Sequence, residues 1–275
     1  MVNQRYSRPH RSLMFAEGPR AFVEMAGLIP SAPFLLNSPR GDQHHVLVMP
    51  GLGASDLSTT VLRTYLAHLG YRAHSWNLGR NLGPAMPNLA GQLSDRLLEI
   101  VGDSGGEPVS IVGWSMGGVY ARILAHYYPD KIRNVVTLGS PFAGHQRSTH
   151  SASSLERTSA TTMAGLTTDS LRVLAGKPLP GVPSSAIFSK TDAVVPWQIA
   201  SQTPSAIADN IEVYAGHIGM GFSAPVLYAT AERLAQPIGK WQPFTRDGWR
   251  SMVFGPADLS PVTHVAGAKV SGATL

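Results

Sequence analysis

Val109-Ser110-Ile111-Val112-Gly113-Trp114-Ser115-Met116-Gly117-Gly118-Val119-Tyr120 is the stretch on which the reading of this chain turns. Residues 109–112 have strand character, residues 113–117 fit G-x-S-x-G, and a segment of helical period follows over 116–128. A serine set in a tight strand-to-helix turn is held in strained backbone with its hydroxyl presented outward. Strand and helix approach so closely there that the flanking positions have no room for side chains, which accounts for Gly113 and Gly117, and Gly118 adds further room. The plainer alternative, a glycine-rich turn with an incidental serine, does not explain why the motif sits between a strand-like and a helix-like run.

Working outward, short apolar runs at 46–49, 71–78, 109–113, 132–138, 186–189 and 211–214 alternate with helix-period segments at 58–69, 89–101, 116–128, 197–200 and 224–235. Runs such as Val46-Leu47-Val48-Met49 are apolar on both faces, as in a parallel strand covered on each side. The alternation implies an α/β fold: an open, mostly parallel six-stranded sheet with helices on both faces and right-handed crossovers. The rhythm breaks between 140 and 182, a Ser- and Thr-rich excursion in which short helices are expected near 153–165 and 169–175. A loop of that length in a compact domain is usually functional, so 143–182 reads as a small cap or lid. Its first half is expected to be mobile, and Leu171, Val173 and Leu174 are expected to turn an apolar face to the substrate pocket. Residues 1–44 read as a leader with an amphipathic helix over 13–28, residues 45–239 as the α/β domain, and 240–275 as a tail. Trp241, Phe244, Trp249 and Phe254 would anchor that tail to the domain surface.

Composition narrows the function classes. The chain has 275 residues and a formal net charge of +5, but charged residues make up only 14%. The basic residues are scattered apart from Arg5, Arg8, Arg11 and Arg20, which read as a solvated arm, so no nucleic-acid partner is expected. No apolar run approaches the roughly 18 residues that span a bilayer, so no stable membrane insertion is expected. Residues 1–20 lack the apolar core of a secretory signal, which makes the cytoplasm the default location. There are no cysteines, which excludes disulfides, thiolate nucleophiles and Cys-ligated zinc. GxxxxGK[ST], GxGxxG and HExxH are all missing, and the His44-His45 pair has no matching ligand cluster, so neither a cofactor nor a metal is expected.

The chain resembles the α/β-hydrolase superfamily, and within it the lipase and esterase branch, over about residues 45–236. The resemblance rests on Val48-Met49-Pro50-Gly51-Leu52-Gly53, the Gly113–Gly117 turn, Thr137-Leu138-Gly139-Ser140-Pro141, Thr191-Asp192-Ala193-Val194-Val195-Pro196 and Gly216-His217. It implies Ser115 as nucleophile and a chain order of serine, acid, histidine. Of ten histidines only His217 and His264 lie beyond the candidate acid, and His217 directly follows a strand-like run and precedes Gly219 and Gly221. Asp192 follows the run at 186–189 and is the candidate acid, with Asp169 and Asp209 as rivals. The Met116 N–H is expected to bind the oxyanion, and by resemblance to His-Gly-x loops of lipases the second donor is the Leu52 N–H. Pro50 stands where those loops carry His. Trp114, Leu52, Met116, Met220 and Phe222 are expected to line an apolar pocket. Gly102-Asp103-Ser104-Gly105-Gly106 looks like the nucleophile segment of trypsin-like proteases, but that family is all-β with chain order His, Asp, Ser.

Together these readings imply a serine hydrolase acting on a small-molecule ester with an apolar acyl group. An acyltransferase on the same three residues and a catalytically silent binding protein of the same fold are the alternatives. A Ser nucleophile argues against haloalkane dehalogenases and polyhydroxyalkanoate synthases, which share the fold but use Asp and Cys.

Overall fold

All five residues of β1 (His45–Met49) are buried. Because successive strand side chains point to opposite faces, such a strand must be covered on both sides. Val46 and Val48 pack with Leu62, Leu66 and Leu227, whereas Leu47 and Met49 pack with Leu93, Leu97 and Ile123 on the other face. The computed structural model describes residues 11–143 and 168–259. β1, β2 (Arg72–Ser75), β3 (Val109–Trp114), β4 (Ile132–Leu138), β5 (Ser184–Phe188) and β6 (Ala208–Glu212) form one sheet in the order β2-β1-β3-β4-β5-β6. Every pairing between these strands is parallel.

Helices α3 (Thr60–His68) and α7 (Ala224–Leu234) cover one face; α4 (Leu89–Asp103) and α5 (Met116–Tyr127) cover the other. The chain steps from β1 out to β2 and then returns to β3 on the far side of β1. The crossovers on either side of that reversal diverge, which opens a crevice at the carboxyl ends of β1 and β3.

The run expected at 71–78 contributes only Arg72–Ser75 to the sheet. The strand stops because the Trp76 and Asn77 N–H groups donate to the two carboxylate oxygens of Asp56, at 3.0 and 3.1 Å. β5 and β6 begin earlier than their apolar runs, since Ser184 pairs with Ala208 through the backbone, whatever the side chains.

Before β1 the chain forms two helices, α1 (Arg11–Ala26) and α2 (Leu28–Leu36), where one helix over 13–28 was expected. α1 is oriented unusually. Met14, Phe15, Phe22 and Val23 face outward, while Glu17 is buried against the protein. Arg20 bonds Thr191, so it is not part of a solvated arm; Arg5 and Arg8 lie outside the described residues. Near the other end, Phe244, Trp249 and Phe254 pack together, and Trp249 meets Phe34 of α2 edge-on.

The helix expected at 153–165 lies outside the described residues. α6 (Thr168–Gly176) is described, and it corrects one expectation. Leu171 is buried with Phe142, Ala175, Leu179 and Val182 in the core cluster that also holds Met116, whereas Val173, expected on the same apolar face, is exposed to solvent. The buried Arg122 of α5 ties down the end of this helix, donating to the Ala175 and Lys177 carbonyls and to Gln202 Oε1. No helix among the described residues is long and apolar enough to cross a membrane.

Candidate active site

Ser115 sits between β3 and α5 with φ 52° and ψ −120°, a backbone conformation that residues with a side chain seldom adopt. The turn is held by the Ser115 N–H, which donates to the Leu138 carbonyl at 2.8 Å. The glycines act by close approach. A Cβ on Gly113 would run into the backbone of Gly117 and Gly118, and one on Gly117 would lie 2.5 Å from the Met49 carbonyl oxygen. Strand, turn and helix therefore touch backbone to backbone, and this drives the Ser115 side chain out toward the crevice.

Two loops from the far side of the sheet meet that hydroxyl. His217, in the loop after β6, has Nε2 3.0 Å from Ser115 Oγ and Nδ1 2.7 Å from Asp192 Oδ2. Asp192 lies in the loop after β5 and is itself pinned: its Oδ1 accepts the Val194 and Val195 N–H groups at 2.8 and 2.7 Å. Burial of the imidazole opposes its charging. The negative charge of Asp192, the hydrogen bond to it and the more distant Glu17 carboxylate outweigh that effect, so His217 is held above the ordinary histidine range. The arrangement can draw a proton from the serine hydroxyl and stabilise the resulting imidazolium.

Two further chain segments border the serine hydroxyl. Met116 is the first residue of α5, and N–H groups in the first turn of a helix have no partner within the helix. Gly51 lies against the serine, its absent Cβ position being 3.1 Å from Ser115 Cβ, so the Gly51–Leu52 peptide borders the hydroxyl. That loop is shaped by Asn81, which is fully buried. Its Nδ2 donates to the Pro50 carbonyl at 3.0 Å, its backbone carbonyl accepts the Gly53 N–H, and its N–H donates to Ala54.

Of the residues expected around the pocket, Trp114 donates its indole N–H to the His217 carbonyl at 3.1 Å, and Leu52 is half-buried at the crevice. Phe222 is 8% exposed. Met220 is a correction: it is 0% exposed and packs under Gly139, beside the Asp192–His217 pair, so it has no surface to offer a substrate. The rival acid Asp209 is committed elsewhere, to Arg233 at 3.1 Å and the Phe244 N–H at 2.6 Å. His264 and the Asp169 side chain are outside the described residues. Ser104, in the protease-like segment, donates to the Val101 and Glu107 carbonyls and so belongs to the turn that ends α4. No group of three or more His, Cys, Asp or Glu side chains among the described residues is arranged to hold a metal ion.

Sequence reading missed the residues that hold the loops. Asn81, Glu17 and Glu24 were not singled out, and Arg20 was read as part of a solvated arm. All three α1 residues bond the loops that carry Asp192 and His217.

A family model described as the alpha/beta hydrolase fold matches residues 45–186, just over half of the chain, and the protein belongs to that family. No curated protein sequence matches it. Similar solved structures include one reported for LipS and LipT, two metagenome-derived lipolytic enzymes, with a TM-score of 0.54, 18% identity and coverage of 70% of this chain and 94% of that one. Another is the monoacylglycerol lipase of Paleococcus ferrophilus, with a TM-score of 0.50, 13% identity and coverage of 72% of this chain and 96% of that one. At these identities the likeness concerns the fold.

Proposed function

We propose that the protein is a serine ester hydrolase in which Ser115 is the nucleophile, His217 the base and Asp192 the acid that orients it. One observation carries the reading: the unbroken contact from Asp192 Oδ2 through the His217 ring to Ser115 Oγ, at 2.7 and 3.0 Å, ending on a serine in strained backbone. Ordinary turn chemistry explains none of the three positions together, whereas proton transfer out of the hydroxyl requires all of them.

On this reading Ser115 Oγ attacks the ester carbonyl as its proton passes to His217 Nε2. The carbonyl oxygen becomes an oxyanion between the Leu52 and Met116 N–H groups. The tetrahedral centre collapses, the C–O bond to the alcohol breaks, and His217 returns its proton to the departing alkoxide. Water, deprotonated by the same ring, then attacks the acyl-serine and releases the acid. The charges that develop are met by groups already in place, so the site needs little reorganisation. Leu52, Trp114 and Met116 stand beside the reacting centre with apolar side chains, which supports a small-molecule ester with an apolar acyl group. The hydrolase domain on this reading is 45–239, between the N-terminal segment 1–44 and the tail 240–275.

The test is turnover of p-nitrophenyl esters of rising chain length by wild type and Ser115→Ala. Wild type should hydrolyse them, and Ser115→Ala should lose several orders of magnitude in kcat while remaining folded. Wild-type rates in Ser115→Ala would overturn the proposal. Added alcohols, with product esters measured, would separate hydrolysis from acyl transfer.

A further inference from the structure

α1 is built against the usual rule for a surface helix, which turns its apolar face to the core and its charges to water. Here Phe15 and Phe22 face outward, and the charged residues bond the loops of the candidate site. The helix also carries Gly18-Pro19 at its middle, and proline there leaves the Phe15 carbonyl without its helical donor. Neither propensity nor apolar burial therefore accounts for α1. Departures of this kind concentrate at functional sites.

The contacts of Glu17 are specific. Its Oε1 accepts the Ala193 N–H at 3.1 Å and the His217 N–H at 3.0 Å, and its Oε2 accepts the Ile218 N–H at 3.1 Å. One carboxylate thus joins the residue after Asp192 to His217 itself. Glu24 Oε1 accepts the Gly216 N–H at 2.8 Å, and the Arg20 guanidinium bonds the Thr191 carbonyl at 2.7 Å and its hydroxyl at 3.0 Å. The loop is shaped to receive these groups: a Cβ on Gly216 would lie 2.8 Å from Glu17 Oε2, and one on Gly219 would overlap the Glu24 carboxylate.

We propose that Glu17 is a positioning residue for the Asp192–His217 pair, a buried carboxylate on the N-terminal helix that sets the distance between the acid and base loops and adds negative charge behind the ring. The proposal rests on the reading of Ser115, His217 and Asp192 given above. Its physical basis is that two separate loops must meet within a few tenths of an ångström, and displacement of a reacting group by about 1 Å can cost roughly a hundredfold in rate. Among the described residues, the charged groups facing His217 are Asp192 from the β5 loop and Glu17 from α1. Glu24 acts one residue away through Gly216, and Arg20 partly balances it at 3.7 Å. The Glu17 charge is one of the influences that raise the basicity of His217.

The experiment compares wild type, Glu17→Gln, Gly216→Ala and Ser115→Ala, all as full-length chains. It measures kcat and KM on a p-nitrophenyl ester and the rate of fluorophosphonate labelling against pH. Glu17→Gln keeps the shape but removes the charge and sets an amide N–H against the Ile218 N–H. Gly216→Ala keeps the carboxylate but displaces it. Both should lower kcat by about tenfold to a hundredfold with KM little changed, and Glu17→Gln should also move the acid limb of labelling to lower pH. Folded variants with wild-type rate and an unmoved acid limb would overturn the proposal. A fall in thermal stability alone, with the pH profile of the folded protein unchanged, would overturn it too by reducing Glu17 to a structural role. Labelling of Ser115→Ala at the wild-type rate would be a different failure, that of the site itself.

Discussion

Replacing Asp192 by Asn changes one atom, and the structure dictates how the new amide must lie. Oδ1 accepts two N–H groups, from Val194 and Val195, while Oδ2 faces His217 Nδ1. An Asn that kept its oxygen on the two backbone donors would point its NH2 at the ring. The opposite orientation would set that NH2 against two N–H groups and leave both unsatisfied, at about 1–3 kcal/mol each. The first orientation therefore wins by roughly 2–6 kcal/mol. The amide then donates to Nδ1, the imidazole proton moves to Nε2, and Nε2 can no longer accept the Ser115 proton. The base is lost although the geometry stays intact. The same substitution in a serine protease lowers kcat by about 10⁴, equivalent to ~5.4 kcal/mol in the barrier. We expect a loss of that order, with KM and the circular-dichroism spectrum close to wild type, measured on a short-chain p-nitrophenyl ester. A loss smaller than about tenfold would refute the reasoning, since it would mean that the group facing Nδ1 does not control the ring. A large kcat loss in folded Asp209→Asn would transfer the acid role to that residue, despite its pairing with Arg233.

Further outcomes follow from other contacts. Because His217 is held above the ordinary histidine range and its neutral form is the base on the proposed reading, kcat/KM should fall as pH drops through a value above about 6.5. The sign for stability is opposite: the raised folded-state pKa contributes stability that is fully present below the unfolded value and lost as pH rises through the folded one, so the Tm contribution should decline across the window in which activity appears. Asn81→Ala removes the bonds to the Pro50 carbonyl and the Gly83 N–H, and should lower kcat about tenfold with KM nearly unchanged by loosening the Leu52 donor. An unaffected kcat would separate that loop from oxyanion binding. Arg122→Ala strips the Ala175 and Lys177 carbonyls of their donor and should destabilise by about 3 kcal/mol, read as a Tm drop of roughly 5–10 °C. A Tm within 1–2 °C of wild type, read by the same scaling, would show that α6 is not held by this side chain.

The parts of the fold that sequence made legible are those in which local chemistry and tertiary structure agree. Val46–Met49 is apolar on both faces because both faces are covered, and Gly113 and Gly117 are glycine because strand and helix touch there. Ser115, Asp192 and His217 could be picked out as candidates because each follows a strand, where the fold brings loops together, and the three side chains do meet. What sequence hid was the polar support. Glu17 meets Ala193 and His217 across 176 and 200 residues of chain, and a Glu three residues from an Arg on a helix reads as a solvated face unless the partner loop is known. Asn81 was hidden for the same reason, since its buried bond to the Pro50 carbonyl spans 31 residues of chain. Val173 was grouped with Leu171 on one apolar face because adjacency to an insertion says nothing about which way a helix turns, and α6 turns Leu171 inward and Val173 to solvent.

The most direct test of the central claim is to trap the acyl-enzyme. Mixing the protein with excess p-nitrophenyl ester and quenching in acid on the millisecond scale, followed by mass spectrometry of the peptide containing Ser115, reports whether the acyl group resides on that hydroxyl. The account predicts a burst of p-nitrophenol and an acyl adduct on Ser115 that is missing from Ser115→Ala. Ester turnover that proceeds undiminished in Ser115→Ala, or an acyl group carried on another residue, would contradict it.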